Sequence, residues 1–206
     1  GRIRETANGT KKLAFGIKNQ FTVSLSTLEA SMNLQSELLD LQKDFYQSAL
    51  GLADKNTIKA YVFGSEKDKV KTQKFVEFLN QHQINVFENE KEFKADGKTF
   101  YPTSSFVVPL KQKQFRLIKS IFEEATSFTD TTFYDVSTWT FTHAFDIQYA
   151  KLSSLKSVGL SKNPVSAKNV KGKIIGEKNN LGYLFGWNEF TAAKALYKFQ
   201  NAGLIT

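Results

Sequence analysis

Residues 57–87 read TIKAYVFGSEKDKVKTQKFVEFLNQHQINVF, and this stretch decides the fold of the chain. It opens with a short apolar run, 58–63, that is rich in β-forming residues. Ser65 and Asp68 then have the S-x-x-D spacing of a capping box, which predicts the start of a helix. A second apolar run begins at 84–87. We therefore predict a strand, a helix and a second strand, and two strands joined in this way are normally parallel.

A weaker copy of this pattern lies at the end of the chain. GYLFGW at 182–187 matches AYVFGS at 60–65, and KALYKFQNAGLIT at 194–206 matches KFVEFLNQHQINV at 74–86. The offset is 122 residues at the glycines and 120 at the end of the helix, so two residues are lost at the helix start. The match predicts that a second α/β unit begins at 181, although two unrelated β–α units could also agree to this degree. If the repeat is real, the chain is a piece of a longer protein.

Length and composition bound the class of protein. The 206 residues can hold one large domain or one and a half small ones, and the hydrophobic share of 41% is that of a folded globular chain. The 19 Phe residues supply ample core material. No apolar run approaches the roughly 20 residues that a membrane-spanning helix needs. No signal peptide is visible, so either the parent is cytoplasmic or an export signal precedes this sequence.

The net charge of +8 suggests a nucleic-acid partner, but the distribution of the charge argues against one. Nearly all of the excess is Lys, and the Arg residues are limited to Arg2, Arg4 and Arg116. Recognition of bases and phosphates relies on the bidentate Arg side chain. Because the Lys residues are spread over predicted solvated faces, we expect no nucleic-acid partner.

Residues that carry chemistry are scarce. The absence of Cys excludes disulfides, thiolate nucleophiles and Cys-based metal sites. The two His residues, His82 and His143, are far apart and neither begins an H-x-x-E or H-E-x-x-H motif. A G-x-S-x-G nucleophile elbow is also missing. We therefore predict no catalytic residue, no metal ligand and no cofactor in this chain.

The segments on either side of 57–87 carry further elements. Before it, Asn8-Gly9 is a turn signal, LAFGI at 13–17 predicts a strand, and the apolar stripe from Ser26 onward predicts a helix of roughly six turns. After it, we predict a hairpin turn at Asp96-Gly97, a strand at 106–110 and a helix at 111–125.

These elements predict an α/β fold, in which a mostly parallel sheet is flanked by helices and interrupted by an inserted β-hairpin, and a strand and a long helix precede it. The Lys-, Ser-, Asn- and Gly-rich stretch at 153–180 predicts a linker with an exposed strand pair that includes KGKII, 171–175. The predicted divisions are 1–50 for the terminal strand and helix, 51–152 for the α/β domain, 153–180 for the linker and 181–206 for the second unit.

The N-terminal 50 residues, GRIRETANGTKKLAFGIKNQFTVSLSTLEASMNLQSELLDLQKDFYQSAL, resemble the last part of a bacterial zinc carboxypeptidase domain. KTFYPTSSFVVPLKQKQFRLIKSIFEEATSF at 98–128 and FYDVSTWTFTHAF at 133–145 resemble the extension that follows this domain in large exported members of the family. The family's zinc site needs an H-x-x-E pair, a distant His and a separate Glu, and this sequence has none of that pattern. The resemblance implies that zinc is bound only by the upstream peptidase domain.

The unit at 57–87 also resembles a degenerate class I glutamine amidotransferase-like fold. That fold needs a Cys nucleophile for activity, so amidotransferase chemistry is excluded here. Together the resemblances imply a non-catalytic accessory region of a zinc carboxypeptidase, which itself is a hydrolase. They imply the upstream peptidase domain as the partner, peptides as further candidate partners, and a periplasmic or extracellular location.

Two candidate ligand sites follow from the residues. Gly64 and Ser65 stand where a predicted strand meets a helix N-terminus, whose free N–H groups could bind a phosphate or another small anion. The alternative is that Gly64 only ends the strand and Ser65 only caps the helix. Asp135, Ser137 and Trp139 could line a pocket, and the alternative there is a capped, buried aromatic helix.

Overall fold

A computed structural model describes residues 2–124, 140–156, 158–176 and 181–206. The predicted residues Asp135, Ser137 and Trp139 lie outside these ranges. The chain divides into two compact units, 1–48 and 49–206. Among the described helices, none is both long and apolar enough to cross a bilayer.

The first unit is a short hairpin followed by helix. In chain order the elements are β1 (Ile3–Thr6), β2 (Gly9–Lys12), α1 (Leu13–Asn33) and α2 (Gln35–Lys55), of which α2 runs on past residue 48. β1 and β2 pair antiparallel with Thr6 opposite Gly9. The chain therefore turns one residue earlier than the predicted Asn8-Gly9, through Ala7 and Asn8, and Gly9 is the first residue of β2. The strand predicted at 13–17 is wrong, because these residues form the start of α1. A five-residue apolar run cannot by itself separate a strand from a helix, and here the apolar spacing continues at helical period.

The second unit is built on a four-stranded sheet. Its elements after α2 are β3 (Ala60–Gly64), α3 (Lys69–Gln81), β4 (Phe87–Glu88), β5 (Phe93–Ala95), β6 (Lys98–Phe100), β7 (Ser105–Pro109), α4 (Phe115–Phe122), α5 (Phe141–Ala144), β8 (Gln148–Leu152) and α6 (Ala192–Asn201). The strand order is β4-β7-β3-β8, and every neighbouring pair is antiparallel. β5 and β6 form a separate antiparallel hairpin.

The prediction of a mostly parallel sheet is therefore wrong, although the fold is α/β in the general sense. β3 and β4 run in the same direction, since each is antiparallel to β7, but β7 lies between them. The order β-α-β-β-α-β with these pairings is the split βαβ arrangement of ferredoxin-like domains. The sequence pattern of a strand, a helix and a strand predicts the relative direction of two strands, but it does not say whether they are neighbours.

Both faces of the sheet are buried, which explains why β3 is a continuous apolar run. Tyr61 and Phe63 point to the face covered by α3 and α4, where they join the larger core cluster. Ala60 and Val62 point to the other face, which is covered by the hairpin residue Phe100. Side chains on alternate faces of one strand thus enter two separate cores.

Local predictions after β4 hold better than the predicted sheet. The hairpin at Asp96-Gly97 is confirmed: Ala95 pairs with Lys98, and the two turn residues have φ of 48° and 72°, as a type I′ turn requires. The strand predicted at 106–110 is β7, shifted by one residue, and the predicted helix at 111–125 is the shorter α4. No pattern in the sequence predicts β8.

The stretch at 153–180 contacts the domain in part. Val165 bridges Val86, and Leu160 bridges Asn89. The strand predicted at 171–175 is wrong, because these residues form neither a strand nor a helix. The first half of this stretch therefore pairs with residues next to β4, although its Lys-rich composition predicts a linker.

The predicted repeat is seen at the helix end only. Ile84 N donates to Leu79 O at 3.1 Å after α3, and Leu204 N donates to Phe199 O at 3.0 Å after α6, which is 120 residues later. In both places the residue before the donor has a positive φ, which is the geometry of a Schellman cap. Residues 182–187, the counterpart of β3, do not form a strand.

Candidate functional site

Gly64 is held by the close approach of β3 and β7. A Cβ at this position would lie 2.2 Å from Ser104 O and 2.6 Å from Ser105 Cα, both of which are backbone atoms. Ser65 Oγ accepts a hydrogen bond from Asp68 N at 3.1 Å, as the capping-box spacing predicts. The helix begins later than predicted, however, because Asp68 is the N-cap of α3. Gly64 thus has a packing role and Ser65 a turn-forming role.

The N-terminus of α3 already carries a negative charge of its own. Asp68 is buried, and its Oδ1 accepts from Lys71 N at 2.8 Å. Its Oδ2 accepts from Phe190 N at 2.5 Å. A phosphate at this helix end would be repelled by the Asp68 carboxylate, which already interacts with the positive end of the helix dipole. The anion site at Gly64 and Ser65 stays a prediction, and the geometry favours the capping alternative.

A cluster of three polar side chains lies at the same end of the sheet. Glu124 Oε1 accepts a hydrogen bond from the Tyr149 hydroxyl at 2.5 Å and lies 2.7 Å from His143 Nε2. Glu124 follows α4, His143 belongs to α5 and Tyr149 to β8. Because an ionised carboxylate only accepts hydrogen bonds, the proton in the second contact is on His143 Nε2. Thr140 Oγ1 donates to Glu123 O at 2.9 Å, so residues 123–124 and 140–149 are held together.

The cluster opens on a cleft of about 620 Å³ between the β5–β6 hairpin, α5 and β8. Its lining adds Asp96 and Lys98 from the hairpin, together with Asp146 and Lys151. Asp146 forms an ion pair with Lys71 at 3.1 Å. The cleft therefore carries charges of both signs. Among the described residues, no three His, Asp or Glu side chains group in a way that could hold a metal ion.

The pKa values of Glu124 and Tyr149 are shifted in the directions that strengthen the hydrogen bond between them. The hydrogen bond from Tyr149, followed by that from His143, lowers the pKa of Glu124 below its usual value. Burial, and then the bond to Glu124, raises the pKa of Tyr149 well above 10. At neutral pH Glu124 is thus an anion and Tyr149 a neutral donor, and the Tyr149 hydroxyl donates its hydrogen bond to the Glu124 carboxylate. The arrangement ties α5 and the end of α4 to β8.

The buried tyrosines predict a loss of stability in alkali. Burial, and then the nearby charge of Glu123, raises the pKa of Tyr61 to about 12, and the pKa of Tyr149 is also raised. In the unfolded chain both hydroxyls ionise near pH 10 while the folded state keeps its protons, so the free energy of unfolding falls as pH rises from 10 towards 12. Equilibrium denaturation between pH 8 and about 12 measures this slope.

Tyr149→Phe tests this explanation, because it removes one of the two hydroxyl groups whose ionisation makes the free energy of unfolding depend on pH. We expect a shallower alkaline slope for Tyr149→Phe and an unchanged slope for Tyr197→Phe, which alters an exposed tyrosine. Equal slopes for the parent and Tyr149→Phe would contradict the raised pKa of Tyr149.

This cluster is not apparent in the sequence. His143 is an isolated histidine there, and neither Glu124 nor Tyr149 belongs to a motif. These residues come from three separate parts of the chain, so no fixed spacing connects them. The topology that places β8 beside β3 is what brings them together.

Comparison with known proteins assigns the chain to no family. No protein-family model matches the sequence, no curated protein matches it, and no solved structure matches it.

Proposed function

We propose that this chain is a non-catalytic accessory module of a zinc carboxypeptidase, and that it docks on the peptidase domain through the apolar side of α1. The observation that carries the proposal is the exposure of this helix. None of its 21 residues is buried. An extended exposed apolar surface is the usual mark of a protein–protein contact.

The apolar residues of α1 form a docking stripe. At 3.6 residues per turn, six of them lie within about a third of the helix circumference. They are Leu13, Ile17, Phe21, Leu25, Leu28 and Met32, with exposed fractions between 51% and 79%. The spacing is that of a helix whose apolar side enters a groove on a partner. Covering these six side chains would contribute on the order of 5–10 kcal/mol before the costs of association.

The peptidase domain is the proposed partner because of where the stripe lies in the sequence. α1 belongs to the segment that resembles the end of a zinc carboxypeptidase domain, and a segment of that kind closes the domain that precedes it. The zinc and the catalytic Glu belong to the peptidase domain in this proposal. Export with that domain to the periplasm or the cell exterior is part of the same proposal.

Two contacts among the described residues of the second unit support an accessory role. Glu124 Oε1 accepts from Tyr149 and contacts His143 Nε2, and the N-terminus of α3 is capped by Asp68. With Zn²⁺ added, we expect the 206-residue chain to release no C-terminal residue from peptides. Turnover by this chain alone would contradict the proposal.

The docking step is tested by mixing the chain with the separately expressed zinc carboxypeptidase domain from the same genome. We expect the two to co-elute in size-exclusion chromatography. Phe21→Asp with Leu28→Asp should weaken the complex at least 100-fold, or about 2.7 kcal/mol, because two charges would enter an apolar contact.

Thr22→Asp with Ser26→Asp is the matched control, since it adds the same charge to the opposite side of α1. We expect this control to bind as the parent does. Equal binding by both double variants, or no complex with the parent chain, would overturn the proposal.

A further inference from the structure

β8 is an edge strand of the four-stranded sheet. Leu152 O accepts a hydrogen bond from Lys59 N at 2.7 Å, and Gln148, Ala150 and Leu152 therefore turn their backbone groups towards β3. In an antiparallel strand the intervening residues turn theirs to the other side. Tyr149 and Lys151 thus direct N–H and C=O groups away from the sheet, where a further strand could pair with them.

The tip of the β5–β6 hairpin occupies this edge. Lys151 N donates to Asp96 Oδ2 at 3.0 Å, and Lys98 Nζ donates to Tyr149 O at 2.9 Å. The Lys98 ammonium also lies 5.5 Å from the centre of the Tyr149 ring. Asp96 therefore supplies an acceptor, and Lys98 a donor, at positions where an added strand would supply its own backbone groups.

We infer that the β5–β6 hairpin guards the outer edge of β8, and that the strand it excludes is β8 of a second copy of this chain. An unguarded edge strand is a template for pairing, and charged side chains are a common means of blocking it. The guard is local in sequence, because Asp96 and Lys98 flank the turn residue Gly97. The I′ turn chemistry that closes the hairpin therefore also places the two blocking side chains.

The second copy fits because the edge is self-complementary. A two-fold antiparallel pairing centred on Ala150 would place Tyr149 of each copy opposite Lys151 of the other. Both outward-facing residues would then exchange backbone hydrogen bonds, and no like charges would stand directly opposite. The contact would be isologous, as in most homodimers.

The first test removes both blocking side chains from the full chain. We expect Asp96→Ala with Lys98→Ala to dimerise about tenfold more tightly than the parent, as measured by light scattering over a concentration series. Glu92→Ala with Lys94→Ala is the matched control, because it removes one acidic residue and one lysine next to and within the same hairpin. We expect this control to show the oligomeric state of the parent.

A cysteine cross-link identifies the pairing register. The chain has no Cys, so Ala150→Cys introduces a single thiol. In the proposed pairing Ala150 faces its counterpart in a non-hydrogen-bonded pair, with Cα atoms about 4.5 Å apart, within reach of a disulfide. We expect a disulfide-linked dimer when Ala150→Cys is combined with Asp96→Ala and Lys98→Ala, and none when Ala150→Cys is combined with the Glu92 and Lys94 control.

A folded Asp96→Ala, Lys98→Ala variant that stays at the parent's oligomeric state would overturn the inference. Larger assemblies that do not cross-link through residue 150 would overturn the assignment of β8 of a second copy as the excluded strand. If the double variant does not fold, the single variants Asp96→Ala and Lys98→Ala are used, since each removes one of the two bonds. Each is combined with Ala150→Cys and must form more disulfide-linked dimer than Ala150→Cys alone. If neither does, the inference that the hairpin guards β8 is wrong.

Discussion

Replacing Gly64 by Ala is expected to destabilise the second unit by about 3 kcal/mol, the upper end of the usual cost of overpacking. The new Cβ would lie 2.2 Å from Ser104 O and 2.6 Å from Ser105 Cα. Both contacts are with backbone, so no side-chain rotation can relieve them. β3 is the central strand that β7 and β8 both pair with, and a shift of β3 disturbs both ladders. Urea denaturation monitored by circular dichroism measures the change.

Gly51→Ala is the control, and its expected effect has the opposite sign. Gly51 lies in the interior of α2, and nothing is within 4 Å of the position of its Cβ. Ala is favoured over Gly in a helix by about 1 kcal/mol, so this variant should be more stable than the parent. A Gly64→Ala variant within about 0.5 kcal/mol of the parent would show that β3 and β7 can separate at no cost.

Replacing Phe122 by Ala is expected to cost about 3–5 kcal/mol, the range for truncating a buried aromatic residue. Phe122 is fully buried at the centre of an aromatic cluster. Its ring stacks on Tyr61 with centroids 4.5 Å apart, and it contacts Phe75 edge-on at 5.7 Å. The loss leaves a cavity and reduces the contact between α4 and the sheet to that of Phe115, Ile118 and Ile121. The measurement is again the free energy of unfolding in urea.

Phe15→Ala is the matched deletion, because Phe15 is 62% exposed on α1. We expect this variant to unfold within about 0.5 kcal/mol of the parent. Phe122→Leu should fall between Phe122→Ala and the parent, since it leaves a smaller cavity. Similar decreases in the free energy of unfolding for Phe122→Ala and Phe15→Ala would contradict the burial of Phe122 in the core.

Features that depend on neighbouring residues could be predicted from the sequence. Asp96 and Gly97 both adopt positive φ, and the D-G pair predicts the hairpin on that basis alone. Ser65 and Asp68 form the predicted bond because they are three residues apart in one turn. The start of α1 at Leu13 was misjudged for the converse reason, since five apolar residues fit a strand and a helix equally well.

The candidate site could not be predicted, because its geometry depends on strand pairing. Glu124, His143 and Tyr149 meet because β8 pairs with β3 and α4 packs on the same sheet. β8 is only five residues long, with Tyr149 and Ala150 buried on opposite faces, so it shows no apolar–polar alternation that would mark a strand.

The sequence by itself determined the Asp96-Gly97 turn, the bond between Ser65 and Asp68, and the direction of β3 relative to β4, because each follows from residues close in the chain. It also determined that the chain contains no thiol. The tertiary structure alone decided that β7 would lie between β3 and β4, that β8 would form the edge, and that Asp96 and Lys98 would cover it. Which strands become neighbours depends on how well their side chains are buried on both faces of the sheet. That burial involves every strand of the domain at once, so no local sequence pattern predicts it.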